Sequence, residues 1–250
     1  MDKLRVLLVG ESWMTHTLHV KGVDTFTQSG YGEGIRWFKR AVESIGSEFV
    51  HMPAHVALTE FPFSPEDLSP YDVVVLSDIG SKTLLLHPDT SVHSIAMANR
   101  LKVIEDYVMD GGGFLMVGGY LSFQGIEGKA AFRATPVERV LPVWMMANDD
   151  RVEVPEGFNP RSTEIEHPIL ANLPATFPTV LFRNHVTLKD GADLLLEHDG
   201  EVVLASWAVG AGRSAAFTPD IAPHGAPPEF LEWEFFDRFM SQLVVWLSGR

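Results

Sequence analysis

The side chains able to do chemistry gather in four short stretches of this sequence. Glu11, Trp13, His16 and His19 form the first, and Asp78 with Ser81 and His87 the second. Gly118-Gly119-Tyr120-Leu121-Ser122 forms the third, and Asp220 with His224 the fourth. Carboxylates suit the binding of hydroxyls or a cation, and imidazole suits proton transfer near neutral pH. Each group also has a plainer reading. His16 and His19 are three apart, a spacing that chelates metal on a helix, but two histidines in a solvated loop explain it as simply. Asp78 suits a cap on the next element, and Trp13 suits a core position. Asp220 and His224 stand among Pro219, Pro223, Pro227 and Pro228, where bracing of a rigid loop is role enough. The 250 residues contain no cysteine. Thiolate nucleophiles, thiolate metal sites and disulfides are excluded together.

These stretches fall where strands should end. Residues 4–9, apolar but for Arg5, form a run closed by Gly10, the pattern of a strand buried on both faces. A polar stretch follows, and then residues 34–45 carry Ile35, Phe38, Ala41, Val42 and Ile45 at helical spacing. Phe49-Val50 begins a second strand and residues 72–77 make a third. The spacing predicts a helix over about 92–109, ended by Gly111-Gly112-Gly113, before a fourth strand at 114–117. Continuous apolar strands alternating with amphipathic helices predict a parallel sheet covered on both faces. Ligands of such sheets bind beyond the carboxyl ends of the strands, which is where Glu11, Asp78, Tyr120 and Asp220 fall. Farther on, residues of about 143–165 form an acidic, extended excursion, 194–205 a β-hairpin turning at Asp199-Gly200, and 214–217 a further strand. A helix over about 228–247 closes the chain, and the whole reads as one domain over residues 1–250.

Residues 111–123 carry more information than the rest. A short apolar strand running into Gly-Gly-Tyr-Leu-Ser has the form of a nucleophile elbow, where small neighbours let the backbone present one side chain. Glycines that only permit a tight turn would look the same. A dinucleotide loop is disfavoured, because Gly111-Gly112-Gly113 precedes its strand instead of following one.

Composition narrows the partners. Hydrophobic residues at 46% and charged residues at 21% are ordinary for a globular chain. The net charge of −14, with 19 scattered basic residues against 33 acidic ones, excludes nucleic acid as a partner. No segment nears the ~20 apolar residues of a membrane helix. Residues 1–5 lead straight into a strand without a signal-type apolar stretch, so the expected location is the cytoplasm.

The run Gly-Gly-Gly-Phe-Leu-Met-Val-Gly-Gly-Tyr-Leu-Ser-Phe-Gln-Gly-Ile at 111–126 resembles the central strand and elbow of class I glutamine-amidotransferase-like families. Gly10-Glu11-Ser12-Trp13, Ser77-Asp78-Ile79-Gly80, Asp149-Asp150-Arg151-Val152-Glu153 and Asp220-Ile221-Ala222-Pro223-His224 extend the resemblance over most of the chain. It is nearest to a cytoplasmic family related more distantly to ThuA-like trehalose-utilisation proteins. The resemblance implies a flavodoxin-like three-layer α/β/α fold with a mostly parallel central sheet, to which the residues at 194–205 add a β-hairpin in the C-terminal part. It implies a crevice at the elbow and assigns no reaction.

Tyr120 lies where such families carry the cysteine of Gly-x-Cys-x-Gly. A phenol of pKa ≈ 10 is a poor acyl acceptor at neutral pH, so thioester glutaminase chemistry is excluded. His224 follows the strand that bears the family's histidine, but Glu229 lies five residues on instead of two, and the family's dyad does not carry over. The expectation is acid–base or metal-assisted chemistry on a small polar ligand, carbohydrate derivatives included. Tyr120 and His224 are its catalytic pair, while Glu11, Trp13, Asp78, Gly119, Ser122 and Asp220 bind the substrate. His16, His19, Asp78, Asp220 and His224 are the donors available to the weaker metal reading. The alternative is a binding or scaffold protein that has lost amidotransferase chemistry. A third reading has the acidic residues 149–156 meeting a partner or second subunit. Cofactor and oligomeric state stay open.

Overall fold

The computed structural model describes residues 3–250. The first half runs β1 (Arg5–Gly10), β2 (Ser12–Lys21), β3 (Asp24–Glu33), α1 (Arg36–Ser44), β4 (Glu48–Met52), α2 (Ala54–Glu60), α3 (Pro65–Leu68), β5 (Val73–Ser77), α4 (Ser81–Leu85), α5 (Pro88–Ser91), α6 (Arg100–Met109) and β6 (Gly113–Val117). The second half runs α7 (Pro136–Val140), β7 (Val143–Met145), β8 (Arg151–Phe158), β9 (Arg161–Ser162), β10 (Val180–Asn184), β11 (Val186–Leu188), β12 (Asp193–His198), β13 (Glu201–Val209), β14 (Gly212–Phe217), α8 (Pro228–Leu231) and α9 (Phe236–Leu247).

The central sheet has the order β4-β1-β5-β6-β14-β13-β12-β9. Its first five strands are parallel neighbours, and β13, β12 and β9 add an antiparallel flank. The period of two along each strand sorts side chains to opposite faces. Val6, Leu8, Val73, Val75, Leu115, Val117 and Phe217 pack with Phe38 and Val42 of α1 and with Phe239, Met240 and Leu243 of α9. Leu7, Val9, Val74, Leu76, Phe114 and Met116 pack on the other face with Leu101, Ile104 and Val108 of α6. The fold is therefore the three-layer, mostly parallel arrangement that the continuous apolar runs predict. Each such buried aliphatic contributes about 1.5–3 kcal/mol of hydrophobic stabilisation.

The helices of the second face end on one buried cation. The Arg100 guanidinium, fully buried, donates to the carbonyls of Ala57 and Leu58 in α2 and of Thr83 and Leu84 in α4. Carbonyls of the last turns of two helices converge on a positive charge, which the helix dipoles favour.

Three expectations need correction. The helix predicted from about residue 92 begins at Arg100, because the Asn99 side chain accepts from the N–H groups of Leu101 and Lys102 and fixes the start there. The C-terminal helix is two helices, α8 and α9, separated by residues 232–235. The polar stretch after β1 is no solvated loop but an antiparallel hairpin of two ten-residue strands, β2 and β3.

Candidate functional site

Three adjacent parallel strands end in turns that crowd together. Gly10 closes β1 at φ +100°, where a Cβ would lie 2.1 Å from the Ser77 carbonyl oxygen. Next come Glu11 at φ 46° and Asp78 at φ 44°, each directly after its strand. A left-handed Glu or Asp costs on the order of 1 kcal/mol or more and persists only where the surroundings hold it. The Glu11 N–H donates to the Ser77 carbonyl at 2.7 Å, and the Asp78 N–H donates to Ser122 Oγ at 3.1 Å. The strain thus aims two carboxyls at the same crevice.

The third turn follows β6. A Cβ at Gly118 would sit 1.9 Å from the Thr218 carbonyl oxygen, and one at Gly119, φ +157°, 3.0 Å from Asp78 Oδ1. The left-handed torsion of this elbow sits on Gly119, and Tyr120 stands one residue beyond it. Leu121 N–H donates to Asp78 Oδ1 at 2.7 Å, so Asp78 fastens the far side of the turn. Fully buried Asn184, at the end of β10, fastens the near side. Its Oδ1 accepts from Gly119 N–H at 3.0 Å, and its Nδ2 donates to the Gly119 carbonyl and to Asp150 Oδ1. Asp150 also accepts from the N–H groups of Gln124 and Gly125.

The eight site candidates form one connected cluster. The Tyr120 and His224 rings lie nearly parallel with centroids 6.1 Å apart, and Trp13 meets His224 edge-on at 5.1 Å. Asp220, 1% exposed, has Oδ2 3.5 Å from His224 Nδ1 and accepts from Ala222 N–H through Oδ1. Glu11 accepts from Ser77 Oγ through Oε2, while its buried Oε1 has no hydrogen-bond partner. Ser122, 2% exposed, turns its hydroxyl to the Asp78 backbone, and Gly119 gives Asp78 room.

Burial and mutual repulsion set the charges. Burial pushes the Glu11 carboxyl well above the ordinary range, and Asp220 and Asp78 push it further. Burial also raises Asp78, with Leu121 N–H opposing and Asp220 adding. Asp220 holds the proton on His224 against its burial, so the imidazole titrates above its usual value. Tyr120 is raised by burial and by nearby Glu153, partly countered by Arg151, whose guanidinium lies 5.3 Å over the ring. A phenol shifted upward stays protonated at neutral pH, so it can donate a hydrogen bond and is not available as a base.

His16 and His19 stay out of this cluster. Three apart on a strand they point to opposite faces of the hairpin, so their spacing cannot serve one metal. Among the described residues no group of three or more histidine, aspartate or glutamate side chains is arranged to hold a metal ion. Sequence reading missed Asn184 as part of the elbow. Its only local signal was a polar pair, Arg183-Asn184, closing an apolar run at 180–182.

A flavodoxin-like α/β sheet with an elbow at its strand ends, and no thiol on it, defines the class. A family model described as "Putative glutamine amidotransferase" matches residues 5–249, and the chain belongs to that family. Two cytoplasmic proteins of Salmonella typhimurium superpose with a TM-score of 0.94. They are 39% and 38% identical in sequence over 98% of this chain and 99% of theirs. A "Putative thua-like protein" of Parabacteroides merdae shares the fold at a TM-score of 0.59 and 12% identity, over 99% of this chain and 90% of that one. No curated protein matches the chain. Among the described residues no helix is long and apolar enough to cross a membrane.

Proposed function

We propose that the crevice carries out general acid–base chemistry on a small, hydroxyl-bearing polar molecule in the cytoplasm. The observation that carries this reading is the line Asp220–His224–Tyr120 set beside the raised carboxyls of Glu11 and Asp78. Asp220 on Nδ1 orients the imidazole and stabilises its protonated form, which leaves Nε2 to exchange a proton with substrate. Tyr120 supplies a hydrogen-bond donor or acid across from it. Glu11, fully buried, does not touch substrate; held toward its neutral form by burial, it limits the negative charge that gathers beside Asp78 and Asp220. Trp13 and Tyr120 offer apolar ring faces for a sugar-like or other polyhydroxylated ligand. The cytoplasmic description of both Salmonella relatives supports the location. No thiol route to glutamine exists, because the chain has no cysteine.

The first test is a metabolite screen by thermal shift, followed by turnover assays on any ligand found. Tyr120→Phe and His224→Ala should each still bind it and convert it about 10²–10⁴-fold more slowly. Conversion at the wild-type rate by either variant removes that residue from the mechanism. A ligand that binds tightly and is never converted by the wild type would instead favour the binding protein. That second reading draws on the burial of Ser122, which leaves the elbow without an exposed nucleophilic hydroxyl.

A further inference from the structure

We infer that the hairpin of β2 and β3 is an arm by which two copies of this chain associate. The inference goes beyond the proposed reaction and stands apart from it. The two strands pair with each other alone, over ten residues each, from Ser12 with Glu33 to Lys21 with Asp24. The root is tied down: Ser12 Oγ accepts from Ala54 N–H, and Tyr31 meets His55 edge-on. Beyond the root, every residue from 14 to 31 except His19 is exposed. A two-stranded hairpin standing in water is marginal by itself and needs a third strand or a packed face. Among the described residues nothing else supplies one.

Directly paired residues of an antiparallel hairpin share a face. Met14 pairs with Tyr31, Leu18 with Thr27 and Val20 with Thr25, so one face presents Met14, Tyr31, Leu18 and Val20 together. These are 58%, 49%, 64% and 64% exposed. Both outer edges keep unpaired backbone groups, and residues 12–33 include no proline and one lysine, the usual guards of an open edge.

Charge favours a second copy as the occupant. The chain carries −14, and two such molecules repel over most of their surfaces. Residues 12–33 hold only Lys21, Asp24 and Glu33, a formal sum of −1, so this is where two copies can approach. A basic partner would find little here to bind. The area is sufficient as well. One face of the arm measures about 34 by 10 Å. Two arms laid reciprocally on each other's chain cover roughly 1,300 Å² counted on both sides, within the range of stable interfaces. A two-fold arrangement closes on itself and needs the same patch on each copy.

Sedimentation of the whole chain at micromolar concentration tests this without any ligand. The wild type should run as a dimer or a higher even-numbered oligomer. The double variant Met14→Asp, Leu18→Asp should run as a monomer with an unchanged circular-dichroism spectrum. A second variant replaces residues 17–28 by Asn-Gly, which keeps the His16–Ser29 pair and closes the hairpin in two residues. It too should be monomeric, which covers the case in which two aspartates unravel the arm. A monomeric wild type overturns the inference, whether the arm then serves a different protein or nothing. An oligomer that survives both variants overturns it equally, because its interface would lie elsewhere. Neither result bears on the acid–base reading, which turns on substrate conversion alone.

Discussion

Glu11 and Met14 are three residues apart, yet they belong to regions built on opposite terms. At the crevice the polar groups hold one another, with Glu11 Oε1 the buried atom left unpaired. Asn184 and Asp78 hold the elbow from both sides, Ser122 holds Asp78, and Ser77 holds Glu11. Charges are buried, backbone torsions are strained, and glycines at 10, 118 and 119 stand where a Cβ would strike neighbouring atoms. In the arm the backbone is regular, the side chains face water and the charge is close to nil. The difference teaches where stability is stored and where it is lent. The crevice is over-determined by the sheet beneath it, which lets it hold strain and unfavourable charge. The arm is under-determined and must be completed from outside.

The largest effect should follow from cutting the clamp on the elbow. Asn184→Ala deletes the partner of the Gly119 N–H and carbonyl and one donor to Asp150, all in a buried site. Each buried group left unsatisfied costs about 1–3 kcal/mol, so urea unfolding should show a loss of about 3 kcal/mol. A loss below about 1 kcal/mol would mean that the elbow is held mainly by Asp78, and the picture of a two-sided clamp would fail.

A second test asks whether Glu11 is neutral. Burial and two carboxylates raise its native pKa above the ordinary 4.5 of the unfolded chain. The native state then binds more protons than the unfolded one, and its stability falls as pH rises from the unfolded value toward the native one. Glu11→Gln has no proton to lose. Plotted against pH, wild-type stability should therefore fall relative to the variant above about pH 4.5, by at most about 1.4 kcal/mol per pH unit. Parallel curves between about pH 5 and 8 would show that Glu11 is ionised in both states, and the neutral carboxyl beside Asp78 and Asp220 would be lost from the reading.

The same contrast explains what could be read before the fold was seen. Strands β1, β5 and β6 are buried on both faces, so they appear as unbroken apolar runs, and the polar residues after them mark the strand ends. Glu11, Asp78, Tyr120 and Asp220 were legible for that reason. The arm was not, because a hairpin wet on both faces has no alternation of apolar and polar residues to betray it. Threonine, histidine, leucine and valine simply follow one another along β2. Residues 92–99 misled in the other direction. Val92, Ile95 and Met97 continue the helical spacing of α6 upstream, yet all three are exposed outside it. Asn184 was invisible for a third reason. Its work depends on Gly119, 65 residues away, and on Asp150, 34 away, which only the assembled sheet brings together.

The smallest expected effect completes the comparison from the arm's side. Leu18 and Leu8 are the same residue in neighbouring strands of the chain, but Leu8 is fully buried in the sheet and Leu18 is 64% exposed. Removing a buried leucine side chain costs about 2–5 kcal/mol through lost transfer energy and the cavity left behind. At Leu18 there is no cavity to leave, and most of the apolar surface already meets water. Leu18→Ser should thus change the stability of the isolated chain by no more than about 0.5 kcal/mol. The measurement must be made by urea unfolding at dilution, where the chain is monomeric, since association adds to apparent stability at higher concentration. Repeating it at rising concentration should then separate the wild type from the variant progressively, because only the wild type gains from its partner. A loss of about 2 kcal/mol or more at the lowest concentration would place Leu18 against the chain's own body. The arm would then be a packed element of the fold, and the division drawn between it and the crevice would disappear.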